Sequence, residues 1–151
     1  MALLHVTNGD SVVGALRAVG LGGHVLPWRD VLHEGPVPAA SWAELRQVRA
    51  RFLGGLEGAA GAEQVLRELV QRDQQVLQHR GEYVLWFEAD LYDQLQLIQI
   101  VTMMADGGVS PGRVSLVQIG EFPGIAHFAG IGQLNSAQLA SLFPARQPLD
   151  Q

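Results

Sequence analysis

The chain contains no cysteine and no lysine, and each absence removes a class of chemistry. Without cysteine there is no disulfide, no thiolate nucleophile and no cysteine-ligated zinc or iron–sulfur centre. Without lysine there is no Schiff-base amine, and no Walker A loop with its phosphate-binding lysine. All ten basic residues are arginine, which genomic base composition explains, since arginine and lysine differ physically only at particular sites. No apolar run approaches the roughly 18 to 20 residues that cross a bilayer, so no membrane partner is expected. The N-terminal MALLHVTNGD has no basic region ahead of an apolar core, which is not the pattern of a signal peptide. A cytoplasmic protein is the expectation. Basic surplus is lacking too: the net charge of −5 disfavours nucleic acid as a partner.

What the chain does have is apolar patterning. With 48% hydrophobic and 17% charged residues over 151 positions, it reads as one globular α/β domain, residues 1–151. Leu3 to Thr7 reads as a first strand, followed by the turn signal Asn8-Gly9 and a helix-starting Asp10 or Ser11. Val12, Val13, Leu16 and Val19 then keep helical rhythm up to Gly20. His24 to Leu26 begins a second strand that Pro27 ends or confines to an edge. Two helices, Ser41 to Leu56 and Ala62 to His79, form a helical insertion at about 41–80, the first opened by a Ser41/Glu44 capping box.

Tyr83 to Phe87 is a short apolar run that reads as a buried strand. A long helix, Leu91 to Ala105, follows, apolar over so much of its circumference that it is either buried or paired with another chain. Arg113 to Ile119 reads as a fourth strand, Asn135 or Ser136 opens a short last helix, and PARQPLDQ reads as a frayed polar end. The strand–helix–strand order predicts a mostly parallel sheet of about four or five strands with helices on both faces.

Three strand-to-helix turns concentrate polar residues, and in open α/β sheets ligands bind past the carboxyl ends of the strands. In HVTNGDS, Asn8, Gly9 and Ser11 suit a phosphate or carboxylate at a helix N-terminus. The plain alternative is a helix capped by Asp10, which would repel an anion unless a metal or proton intervened. In LPWRDVLHEGP, Trp28, Arg29, Asp30, His33 and Glu34 crowd one loop, either as surface ion pairs or as binding residues on a rigid scaffold. In WFEADLYD, Asp90 and Asp93 suit capping, whereas Glu88 closes an apolar strand and needs Arg29, His33 or a divalent metal as partner. Carboxylates with a histidine suit Mg²⁺, Mn²⁺ or Zn²⁺, although no spacing matches a defined metal motif. His5, within the first strand, reads as a hydrogen-bonded structural residue or a ligand. The glycines of GIAHFAGIGQL lack the spacing of a dinucleotide fingerprint.

The blocks HVTNGDS, LPWRDVLHEGPVP, WFEADLYDQLQL and IGEFPGIAHFAGIGQLNSAQLASLF, in that order, resemble the bacterial domain-of-unknown-function 1835 family over essentially the whole chain. In that family's pattern position 89 is usually histidine, and Ala89 stands here, so any role of that histidine has no counterpart. The resemblance implies that the three polar turns belong to one recurrent unit, and that longer members continue into a second, helical region. It carries no activity.

These readings lead to a small-molecule binding module for a phosphate- or nucleotide-like ligand, with Asn8, Ser11 and Arg29 on anionic groups and Trp28 or Trp86 as a stacking face. The alternatives are a metal-assisted hydrolase using Asp10, Glu34, Glu88 and Asp90 with His33 as acid/base, and an interaction module. The last would form a homodimer or dock a second helical domain through the helix at Leu91 to Ala105.

Overall fold

The computed structural model describes residues 2–119, 123–124 and 133–149, with Ile119 described by its backbone alone. The expectation for GIAHFAGIGQL falls mostly outside the described residues. The described chain divides into two compact units, Met1–Arg29 with His79–Gln151, and Asp30–Gln78.

The first unit is an α/β sheet domain. Its strands are β1 (Leu3–Asn8), β2 (His24–Trp28), β3 (Glu82–Glu88), β4 (Val114–Ile119) and β5 (Gln147–Pro148), arranged in the order β2-β1-β3-β4-β5. The first four are parallel, with His5 opposite both Val25 and Val84, and Leu85 opposite Leu116. Continuous burial along β1 and β3 is what a parallel sheet covered on both faces demands. Pro27 is tolerated inside β2 because β2 is an edge strand, paired only with β1.

Helix α1 (Val13–Val19) carries the chain from β1 to β2 and stops at Gly20, whose φ of +80° is the usual left-handed helix end. Val12 and Leu16 pack with Leu134 and Leu139 against Val84, Trp86 and Val117, so α1 and α5 (Ser136–Leu142) cover one face. Asn135 opens α5 with a full capping box. Helix α4 (Leu91–Asp106) joins β3 to β4. Its crossover leaves β3 in the opposite direction from that of α1, and right-handed connections therefore place the two helices on opposite faces. Leu97, Ile100, Met103 and Met104 are its buried apolar residues, whereas Leu91, Tyr92 and Ile98 stay exposed. The expected alternative of burial or pairing thus resolves into one buried side and one open side.

Two expectations are corrected. Asp10 does not cap α1: Val12 occupies the cap position without a side-chain bond, and the Asp10 backbone carbonyl accepts from the Val13 N–H instead. The C-terminal PARQPLDQ is not simply frayed, because Gln147 and Pro148 add a short antiparallel strand to β4. Arg146 anchors it, donating to Glu82 at 2.9 Å and stacking on the Phe143 ring.

The second unit holds helices α2 (Trp42–Gly54) and α3 (Ala62–Gln78). Ser41 Oγ accepts from the Glu44 N–H to open α2. Charged side chains are buried here: Asp73 takes Arg46 at 2.6 Å and Arg72 at 2.8 Å.

His5 behaves as the structural histidine. The Trp86 indole N–H donates to Nδ1 at 3.0 Å, so Nε2 carries the proton donated to the Gly22 carbonyl at 3.1 Å. Burial holds its pKa below the ordinary 6.5. A depressed histidine contributes stability above its unfolded value and loses it as pH falls through the folded one. Denaturation midpoints should therefore drop below about pH 6.5 through this group, and His5→Gln should flatten that limb. An unchanged acid limb in the variant would assign the loss to other groups.

Candidate functional site

The carboxyl ends of β1, β2 and β3 carry the polar residues singled out in the sequence. Strand order reverses between β1 and β3, since β2 lies on one side of β1 and β3 on the other. In doubly wound sheets the connecting turns diverge at such a point and leave a crevice where ligands bind.

Asp93, one turn into α4, closes this point from within. It is buried, and its carboxylate accepts from the Asn8 side-chain amide and, at 2.7 Å, from the Glu88 N–H. The first and third polar turns therefore meet through one carboxylate. Burial pushes the Asp93 pKa up, against the opposing pull of the Glu88 N–H. Asp90 is the helix cap, its Oδ1 accepting from the Asp93 N–H at 2.9 Å. Glu88 is half-buried at the strand end, and its backbone carbonyl accepts the Gln94 amide at 3.0 Å and the Gln118 amide at 3.3 Å.

One carboxylate oxygen each from Glu88, Asp90 and Asp93 lie within 4.8 Å of one another. A strand end and a helix start place them so, with Ala89 as the bend between. Three oxygen donors at this spacing are the chemistry of a hard divalent cation, which takes carboxylates and completes its shell with water.

At the same carboxyl edge, Arg29 reaches from the end of β2 to the β1 turn. Its Nε and Nη2 both donate to Asp10, at 2.7 to 3.1 Å, in a forked pair with both side chains about 60% exposed. The guanidinium draws the Asp10 pKa down. Gly9 sits between these groups at φ +61°, donating to the Trp28 carbonyl, so the Asn-Gly turn demands glycine at its second position. Ser11 is exposed in the same turn.

Several expected roles shift. Trp28 and Trp86 are 0% and 1% exposed and offer no stacking face; their indole N–H groups donate to Gln99 and His5. The Asn8 amide is directed to Asp93 and the Arg29 fork to Asp10, so the phosphate cradle expected of Asn8, Ser11 and Arg29 is not preformed. Nor does Arg29 serve Glu88 through that fork.

Asp30, His33 and Glu34 belong to the second unit. Asp30 is a buried structural residue, bound by Arg49 at 2.5 Å. His33 and Glu34 are exposed neighbours with Nε2 and Oε1 3.8 Å apart. The loop that bears them is held by Arg49, which also donates to the carbonyls of Val31, Glu34 and Pro36. Gly35, at φ +74°, lies against the Phe52 ring where a Cβ would approach to 2.6 Å. Arg49 was hidden in the sequence by its charge, although it lies four residues after Leu45 and three before Phe52, within the apolar stripe of α2. Gln94 and Gln118 gave no local signal.

Asp93→Ala would leave the Glu88 N–H and the Asn8 amide without their acceptor, lowering stability by about 2–4 kcal/mol. Asp10→Ala, which breaks an exposed pair, should cost less than about 1 kcal/mol. Urea denaturation of both variants checks this, and similar losses would reduce Asp93 to an ordinary surface carboxylate. In comparisons with known proteins, no family model and no curated protein matches the chain.

Proposed function

We propose that this chain is a small-molecule binding module that holds a phosphate- or nucleotide-like ligand at the carboxyl edge of its sheet, through a divalent cation. The observation that carries the reading is the convergence of Glu88, Asp90 and Asp93 oxygens beside the β1/β3 reversal. Among the described residues this edge sets four carboxylates, Asp10, Glu88, Asp90 and Asp93, against the Arg29 guanidinium. A bare anion meets net repulsion there; a bound cation inverts the local field and gives the anion a partner. Mg²⁺ or Mn²⁺ suits an all-carboxylate set better than Zn²⁺, which favours nitrogen and sulfur ligands. Such a cation also supplies what metal-assisted hydrolysis needs, so that alternative shares this first binding step. Kinship with the domain-of-unknown-function 1835 family is part of the proposal and rests on the four sequence blocks.

Thermal unfolding with Mg²⁺ or Mn²⁺, alone and with nucleotides or sugar phosphates, tests it. A ligand at about 100 times its dissociation constant adds about 2.7 kcal/mol, a rise of several degrees in a domain of this size. The rise should vanish in Glu88→Gln. A wild type that no metal or phosphate compound stabilises sinks the reading.

The exposed side of α4 favours a second reading, an interaction module. Leu91 is 70%, Ile98 63% and Tyr92 57% exposed, on a helix whose aspartate at position 93 is buried. Under this reading sedimentation gives a mass above that of one chain, and Ile98→Glu returns it to the monomer. A wild-type monomer at high concentration removes homodimerisation.

A further inference from the structure

Among the described residues of the sheet unit, Arg29 is the only arginine at the carboxyl edge. The unit contains five: Arg17, Arg29, Arg80, Arg113 and Arg146. Arg80 and Arg113 precede β3 and β4, at the amino edge, where Arg113 donates to the carbonyls of His79 and Gly81. Arg146 pairs with Glu82, the first residue of β3. Arg17 lies in the last turn of α1, where the chain returns to the start of β2. The chain has no lysine, so within the described sheet unit Arg29 is the side-chain cation of fixed charge that this edge offers an anionic group. That guanidinium is already engaged by the Asp10 carboxylate, in the forked geometry that a phosphate or a ligand carboxylate would adopt.

Resting on the binding reading above, we propose that Asp10 is a built-in competitor for the ligand's anionic group: an autoinhibitory contact that occupies Arg29 until a phosphate or carboxylate displaces it. The position of the pair supports exchange. Asp10 sits in the β1 turn, two residues after Asn8, while Arg29 directly follows β2, so neither side chain needs backbone movement to part. Both are more than half exposed, and exposed pairs are weak enough to be replaced by a better-charged partner. A phosphate brings more charge and more acceptor oxygens than a carboxylate. The released Asp10 carboxylate remains in water, which avoids leaving a buried charge. Affinity at the site is thereby set by a difference, Arg29 with ligand against Arg29 with Asp10.

The test is calorimetric titration of inorganic phosphate in the presence of Mg²⁺, on wild type, Asp10→Asn and Arg29→Ala, with melting temperatures checking that each variant folds. Asp10→Asn should bind phosphate about two- to five-fold more tightly, as removal of an exposed competing pair implies. Arg29→Ala should lose most of the affinity. If wild type binds and Asp10→Asn binds equally or more weakly, Asp10 is a bystander or a cation ligand; the competition is refuted while the site stands. If phosphate binds no variant, with or without Mg²⁺, the site reading fails and the competition falls with it. Equal binding by Arg29→Ala and wild type overturns the competition from the other side.

Discussion

The carboxylate of Asp93 joins two turns that the chain separates widely, because it takes the Asn8 amide from the end of β1 and the Glu88 N–H from the end of β3. Parallel neighbours cannot be linked by a tight turn, so their ends are free to splay unless side chains hold them. Here the tie comes from the helix that β3 itself launches. The carboxyl edge is thus organised by a buried acid, and the shapes of the Asp90 cap, the Glu88 strand end and the Asn8 turn depend on it. Such a group is costly to bury unless its oxygens find partners, and the two donors supply one to each oxygen.

The second unit relies on the inverse device, a buried cation. Arg49 uses its planar fork to bind Asp30 and three backbone carbonyls of a loop without regular structure. Buried ion pairs contribute little net stability against apolar replacements, yet removing one partner is expensive. Their value lies in fixing one backbone path, which suits a loop whose own residues, Gly35-Pro36 and Pro38 among them, have few ladder bonds to make.

Much of the architecture was legible because it is local. The apolar run ending at Glu88, the Asn-Gly turn, the Ser41 and Asn135 caps and the glycines that stop α1 all act within a few residues. The pairing order was not legible, since β1 meets β3 across the whole helical insertion and no local pattern encodes that choice. Trp28 misled for a related reason: next to Pro27 and a run of charges it looks like loop, and only its place in an edge strand makes it core. The acidic cluster was visible as composition; that Asp93 faces inward while Asp90 faces water depended on where α4 settles. The short strand β5 escaped notice because a two-residue ladder has no periodicity to display.

The contact between His5 and Trp86 spans 81 positions, and it has a kinetic side. Before β3 can pair with β1, the chain must close the loop that contains all of α2 and α3, and the entropy of closure rises with the length of flexible chain. If Asp30–Gln78 forms first, with its own latched loop and helix pair, much of that length ceases to be flexible. The insertion then acts as a prefolded spacer in sequence, and assembly of the central strand pair becomes the slow, high-contact-order step.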